Sequence, residues 1–345
     1  MTTGSGAPLG TPSSTPTSTP TSTPGSTTRG GTGTVALGDT GVGLFPLCLG
    51  GNVFGWTADE GASHAVLDAY REAGGNLVDT ADVYSAWVEG HSGGESESVI
   101  GRWLARSGAS GARGGGAVHI ATKTGAKDPT DLSPASVSRS LDGSLERLQL
   151  DAVTLFYAHR DEPERAVEEV VEAFAATVAD GRARAWAVSN WSAERVDAAV
   201  EAARRAGVPG PVAVQDPGSA VVPTSAGVVD AAERHGLVQL PYSTLASGFL
   251  TGKYSRDGEL PSSPRAGGVQ GKHFTDSGWA VLDAVRGIAQ ERDAELATVA
   301  LAYLRARGAV PIASASRPEQ LPALLAVASV ELSADEVQAI TAARG

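Results

Sequence analysis

From Val35 onward the chain alternates short apolar runs with longer segments whose apolar positions recur every three to four residues. The apolar runs are Leu44–Leu49, Asn76–Asp79, His119–Lys123, Val153–Tyr157, Ala183–Ser189, Val212–Gln215, Val238–Tyr242 and Val310–Ala313. Several are apolar on consecutive positions, which suits strands buried on both faces. The amphipathic segments predict helices over Ala62–Ala73, Ser96–Arg106, Pro134–Leu148, Glu164–Asp180, Ala193–Arg205, Gly227–His235, Gly278–Asp293 and Pro318–Ala326. A further stretch, Ala334–Ala343, predicts one more helix after the eighth unit.

Alternation of this kind requires parallel strands joined by crossover helices, so the fold class is α/β. Eight units predict a closed (β/α)8 TIM barrel spanning residues 35–345. A doubly wound open sheet is the alternative, but it usually carries a glycine fingerprint after its first strand. Here the text Leu49-Gly-Gly-Asn-Val-Phe-Gly55 lacks that spacing. Residues 1–34 are all Gly, Ser, Thr or Pro except Met1, Ala7, Leu9 and Arg29. So little apolar surface cannot offset the entropy of ordering the backbone, which predicts a disordered N-terminal tail.

Composition narrows the function. The 345 residues carry 27 basic and 39 acidic side chains, a net charge of −12. That balance argues against a nucleic-acid partner, which needs clustered Lys and Arg. No apolar stretch approaches the roughly 20 residues that span a bilayer. The first residues lack the apolar core of a signal peptide, so the expected setting is the cytoplasm, away from membranes. A single cysteine, Cys48, excludes an internal disulfide and a thiolate-rich metal site. The histidines other than His159 are scattered without ligand spacing, so no metal is expected.

In a barrel, chemistry sits on loops at the carboxyl ends of the strands. Asp79 ends the second apolar run, with Tyr84 in the loop beyond it; Lys123 ends the third, and His159 follows the fourth. Each alone has an ordinary structural reading: a helix cap, a packed aromatic, a snorkelling lysine, a satisfied histidine. Together, on one rim, they make a proton donor. A neighbouring ammonium favours the phenolate and is expected to lower a phenol's pKa from its usual value of about 10. Asp79 would keep Lys123 charged, and His159 would aim a substrate oxygen at the phenol. Protonating a developing alkoxide implies a hydride from the other side, which side chains cannot supply, so a nicotinamide cofactor is required. Two competing readings are a Schiff-base aldolase using Lys123 and a non-catalytic nicotinamide-binding barrel, either a redox sensor or an accessory subunit.

These residues in this order resemble the aldo-keto reductase family, and the resemblance runs over nearly all of 35–345. It implies reduction of an aldehyde or ketone, a small-molecule carbonyl substrate, and NADP(H) as cofactor. By resemblance Tyr84 is the general acid/base, Asp79 and Lys123 tune it, and His159 orients the carbonyl. Gly51 and Asn52 fall where the family's first loop meets the nicotinamide. Ala187-Val-Ser-Asn-Trp191 resembles the carboxamide-binding segment, giving Ser189 and Asn190, with Gln215 as third contact; amides suit this because both a donor and an acceptor are needed. The run Leu240–Tyr254 resembles the seventh-strand loop, with Tyr242 stacking on the nicotinamide. Ser243, Leu245, Ser247, Gly248 and Lys253 then line the pyrophosphate path. Pro311–Leu321 resembles the adenosine end, offering Ser314, Ser316, Arg317 and Gln320. Relatives often have arginine where Ser316 stands, and Glu and Asn where Ala323 and Leu324 stand. Another departure follows Gln215, where the text is Asp216-Pro-Gly-Ser219 instead of an aromatic and a small polar residue. Trp56, Trp87 and Trp191 are candidate walls of the substrate pocket. Residues 255–276, rich in Gly, Ser and Pro, read as a mobile lid over the cofactor.

Overall fold

The computed structural model describes residues 1–4, 33–109, 117–256, 258–261 and 266–345. The disorder expected of residues 1–34 therefore falls, for 5–32, outside the described residues. A short antiparallel hairpin, β1 (Val35–Ala36) with β2 (Gly43–Leu44), precedes the eight parallel strands. These are β3 (Cys48–Gly50), β4 (Leu77–Asp79), β5 (His119–Thr124), β6 (Val153–Ala158), β7 (Ala183–Ser189), β8 (Ala213–Gln215), β9 (Val238–Gln239) and β10 (Ile312–Ala313). They pair in chain order, with β10 returning to β3. The last seam is closed by the N–H groups of Val310 and Ile312, which donate to the carbonyls of Gln239 and Pro241, each at 2.9 Å. The expected (β/α)8 barrel is the fold.

Helices α1 (Glu60–Glu72), α2 (Glu95–Ser107), α3 (Pro134–Leu148), α4 (Val167–Ala179), α5 (Ala193–Ala206) and α6 (Ala226–His235) connect successive strands. After β9 come α7 (Ala266–His273), α8 (Asp276–Glu291) and α9 (Leu296–Ala306), and after β10 come α10 (Leu321–Leu325) and α11 (Ala334–Ala342). Several starts are capped by a side-chain oxygen, including Asp59, Ser133 and Ser192. Ser333 and Glu336 form a reciprocal capping box at α11.

The structure corrects the sequence reading in three places. The predicted strand Leu44–Leu49 is split: Leu44 belongs to the hairpin and the barrel strand begins at Cys48. Pro46 lies between, and it has no N–H to give a ladder. Helix α9 was not anticipated; it is buried almost all round, so it shows no polar stripe for periodicity to detect. Residues 266–273, within the expected lid, form α7, whose Val269 is buried in a satellite core with Phe249, Tyr254 and Trp279.

Side-chain parity divides the core into two layers. Leu77, Ala121, Leu155, Ala187 and Ala213 form one apolar cluster, plugged by Leu37, Val42 and Leu44 of the hairpin segment. Val78, Ile120, Phe156, Val188 and Val214 belong to a second cluster shared with the helices. Alternation at period two therefore puts the residues two places beyond the first set on the same interior face: Asp79, Lys123, Tyr157, Ser189 and Gln215. All five are buried.

Helix α2 packs so closely on α3 that a methyl on Gly101 would overlap the backbone oxygen of Arg147. The same arginine donates through Nε to the buried Glu97 carboxylate at 2.7 Å. Gly101→Ala is expected to cost about 2 kcal/mol or more through overpacking, even though alanine favours a helix. Urea unfolding of the variant against the parent measures it.

Candidate active site

The centre of the barrel mouth is a buried ammonium. Lys123 is 0% exposed, and its Nζ donates to Asp79 Oδ2 (2.7 Å), to the Thr80 carbonyl (2.7 Å) and to Tyr84 Oη (2.8 Å). Three donors meet three acceptors, which is what a buried charge needs in order to be tolerated. The Tyr84 hydroxyl in turn donates to Asp79 Oδ2 at 3.1 Å. The second Asp79 oxygen accepts from the Gln215 amide at 2.9 Å. Three side chains, two of them far from Asp79 in sequence, thus converge on one carboxylate.

Burial and the Asp79 charge push the Tyr84 phenol well above its ordinary pKa. This reverses the expected lowering by the ammonium. The carboxylate accepts the phenol's proton in a hydrogen bond and so holds it on the oxygen. Burial draws Lys123 down, with Asp79 pulling it back up. Burial holds His159 well below the usual histidine range, helped by the charges of Lys123 and Arg160, so its ring is neutral. The ring lies 6.0 Å from the Tyr84 ring, centroid to centroid, at a steep angle. Its Nδ1 is buried without a hydrogen-bond partner among the described residues.

A cleft of about 850 Å³ opens over this group and runs toward β10. All the predicted site residues line it except Gly51, Lys123, Ser189, Trp191 and Arg317. Gly51 instead binds its neighbours: its N–H donates to the Asp79 carbonyl (2.7 Å), and its carbonyl accepts from Ser96 Oγ (2.8 Å). Lys123 is one layer below the floor. Ser189 is buried and accepts from Asn190 Nδ2 at 2.9 Å. Arg317 is exposed beside the cleft. Trp191 is corrected as a pocket wall: it is buried in the core between strands and helices, with the Arg195 guanidinium over its ring at 5.5 Å. Trp56 and Trp87 line the cleft, edge to face at 5.6 Å, and Trp87 also meets Tyr84 at 6.1 Å.

Farther along, Asn190 Nδ2 donates to the His159 carbonyl (2.9 Å), and its Oδ1 accepts from Tyr242 Oη (2.7 Å). Beyond Tyr242 the backbone takes left-handed conformations at Ser243, Ala246, Ser247 and Gly248. Such φ values are costly for residues with a side chain and persist only where the surroundings enforce them. Here the enforcement comes from Phe249, buried against Trp279 at 5.0 Å. Gly248 takes φ +93°, a value that side-chain-bearing residues rarely adopt, and a Cβ there would displace the end of Lys253, whose Nζ would lie 2.7 Å away. The result is a concave loop of small residues with one lysine, a shape that brings backbone close to an anion. Ser314 donates to Asn52 Oδ1 (2.6 Å), joining the first loop to the last, and within the last loop the Ser316 N–H donates to Gln320 Oε1 (2.8 Å).

Sequence reasoning missed Arg160 and Glu295, which also line the cleft. Arg160 was next to a residue already singled out. Glu295 precedes the unanticipated α9, so nothing in the sequence placed it here. Among the described residues no cluster of histidine, cysteine or carboxylate groups could hold a metal ion, and no helix is long and apolar enough to cross a membrane.

A closed barrel with a protonatable phenol, a buried cation and a polar cleft at its carboxyl-end mouth has the architecture of a barrel oxidoreductase. The chain belongs to the aldo/keto reductase family, whose model matches residues 46–344. It is 30% identical over 312 residues to the uncharacterized oxidoreductase YrpG of Bacillus subtilis, covering 87% of this chain and 91% of that one. It is also 30% identical over 280 residues to a probable voltage-gated potassium channel subunit beta of Oryza sativa, covering 77% and 81%. The glycerol dehydrogenase AKR11B4 of Gluconobacter oxydans has a similar solved structure, with TM-score 0.76, 25% identity, and 91% and 95% of the two chains covered. Membership in this family makes the protein an oxidoreductase of a kind that generally binds nicotinamide cofactors and acts on small carbonyl compounds.

Asp82, between Asp79 and Tyr84, ties their loop to β5: Thr124 Oγ1 donates to its Oδ2 at 3.0 Å. Burial pushes its carboxyl up to about 6, with the Thr124 bond working against the rise. A carboxyl raised on folding stabilises the fold while protonated, and that contribution is lost as pH rises from about 4 through about 6. The stability of the parent relative to Asp82→Asn should therefore fall by about 2 kcal/mol between pH 4 and pH 7. Denaturant unfolding of both proteins across that range checks it.

Proposed function

We propose that the protein reduces an aldehyde or ketone to the alcohol with NADPH, Tyr84 delivering the proton. The observation that carries this reading is the Asp79–Lys123–Tyr84 contact set at the floor of the cleft, beside a neutral His159. The cleft suits a dinucleotide: a hydroxyl- and amide-lined trough, a concave small-residue loop with Lys253, and Ser314, Ser316 and Gln320 at the far end. When bound, the nicotinamide supplies the hydride, which no side chain can.

The remaining work falls to the chain. His159 orients the carbonyl oxygen toward the Tyr84 hydroxyl. The phenol is neutral, so it has a proton to give, and an alkoxide is a far stronger base than a phenolate. As the proton leaves Tyr84, negative charge develops 2.8 Å from the Lys123 ammonium. That hydrogen bond strengthens in the transition state, which is the condition for it to lower the barrier. Gln215 and Asn190 position the carboxamide end, Tyr242 stacks on the ring, and Asn52 steadies the first loop. NADPH is preferred over NADH on the ground that Arg317 stands exposed beside Ser316 and Gln320, its guanidinium without a bonded partner among the described residues.

The Schiff-base reading is disfavoured by geometry, since all three Lys123 donors are engaged and no lone pair faces the cleft. The accessory-subunit reading draws on the names of relatives such as the rice protein, three of which are called potassium channel subunits beta. It predicts tight NADPH binding without turnover of any carbonyl.

Tyr84→Phe is expected to lower turnover of a carbonyl panel by roughly 100- to 10,000-fold, the range for removing a general acid. It should still bind NADPH, seen as quenching of tryptophan fluorescence; full activity in this variant would remove the role assigned to Tyr84. Arg317→Ala should weaken NADPH binding roughly 10-fold or more in the same titration while leaving NADH nearly unchanged. Equal losses for both would refute the preference.

A further inference from the structure

The cleft contains one cation that the reaction above does not use. Arg160 lines it, next in sequence to His159 and on the same loop after β6. Among the described residues it has no hydrogen bond and no ion pair, although this loop is rich in both. The adjacent carboxylate, Asp161, is taken by Arg195, which approaches Oδ1 at 3.0 Å. The next, Glu162, is taken by Arg165 and by the Leu132 N–H, each at 2.7 Å. Arg195 also donates to the carbonyls of Glu162 and Arg165, at 3.2 and 2.8 Å. The loop is thus fastened from behind, and the two carboxylates that follow Arg160 in sequence are engaged on that side.

None of the carboxylates in front is bonded to Arg160 either. Asp79 is saturated by Lys123, Tyr84 and Gln215. The carboxyl of Asp216 is pushed up to about 6 by burial and is not bonded to Arg160. The field of the guanidinium reaches into the site: it helps to keep His159 neutral, and it pulls the Tyr242 phenol downward against burial and Asp216. In a protein of net charge −12, a cation without a bonded partner beside the reacting centre is a local exception.

We propose that Arg160 binds a carboxylate carried by the substrate, so that the preferred carbonyl compounds are aldehyde or keto acids. This rests on the carbonyl-reduction reading and adds the substrate class to it. A guanidinium presents a planar pair of N–H donors that matches a carboxylate, and its weak hydration makes exchange of water for the anion inexpensive. Trp56 and Trp87 line the same cleft, which offers an aromatic substrate an apolar surface beside the guanidinium's charge.

The test compares 4-formylbenzoate with its methyl ester, which share the aryl aldehyde and differ in charge; the ester's aldehyde is the more electrophilic, so intrinsic reactivity alone would favour the ester. The wild-type protein with NADPH should show kcat/KM for the acid roughly 10- to 100-fold above the ester, the range for one charge-assisted hydrogen-bonded pair. The advantage should reside in KM and shrink with added salt. Arg160→Gln should bring the ratio close to one, and Arg160→Lys should leave it between. Equal rates on acid and ester in the wild type would overturn the proposal while leaving carbonyl reduction intact. Turnover of neither, despite NADPH binding, would remove the reduction reading and this inference with it. An Arg160→Gln variant that loses NADPH affinity as strongly as it loses the acid would assign the guanidinium to the cofactor and also overturn the proposal. Should that variant fail to fold, the acid-to-ester ratio and its salt dependence in the wild type decide alone.

Discussion

An ammonium with no exposure to water dictates the arrangement of this protein's barrel mouth. Lys123 can be charged there only if each of its donors finds an acceptor, and the acceptors come from a strand end, a backbone carbonyl and a loop tyrosine. Satisfying it fixes the Asp79 rotamer, which fixes the Tyr84 hydroxyl, which leaves Gln215 to bond the remaining carboxylate oxygen. Removing any one member would leave the others buried with an unmet charge or hydrogen bond. The site is therefore a structural unit before it is a chemical one.

The barrel makes this possible by parity alone. Residues two places beyond the apolar interior layer must point inward, so a polar residue at such a strand end is delivered to the axis without further instruction. The loops then add what strands cannot. Tyr84 and His159 arrive from loops braced by Asp82–Thr124 and by the Arg195–Asp161 contact. The loop after β9 keeps its left-handed backbone because Phe249 anchors it in an aromatic cluster with α8. The rigid strands carry the carboxylate and the ammonium, and the loops carry the groups that meet substrate and cofactor.

Much of this was legible in the sequence because it depends on local pattern. Apolar runs ending in Asp79, Lys123 and Gln215 mark both the strands and the residues at their ends. What was not legible depends on three-dimensional surroundings. Pro46 divides a continuous apolar run because its missing N–H matters only once a neighbour strand needs a donor. Helix α9 lost its amphipathic signature by being enclosed between the barrel and α8, and with it went the position of Glu295. Trp191 looked like its two counterparts, yet its place right after β7 sends it into the core, while Trp56 and Trp87 lie on loops over the mouth. The direction of the Tyr84 shift was also hidden. Sequence supplies the neighbouring charges, but it does not say that the carboxylate lies close enough to accept from the phenol or that water is excluded.

Proton delivery depends on that phenol being a neutral donor at rest, held between a carboxylate and an ammonium. Nuclear magnetic resonance of protein labelled with ¹³C at the tyrosine ring carbon bearing oxygen, with Tyr84→Phe to assign the signal, reads its ionisation directly. The Tyr84 resonance should remain at the protonated position up to at least about pH 10, the ordinary midpoint for a free phenol. Ionisation in the neutral range, with Lys123 and Asp79 in place, would contradict the account.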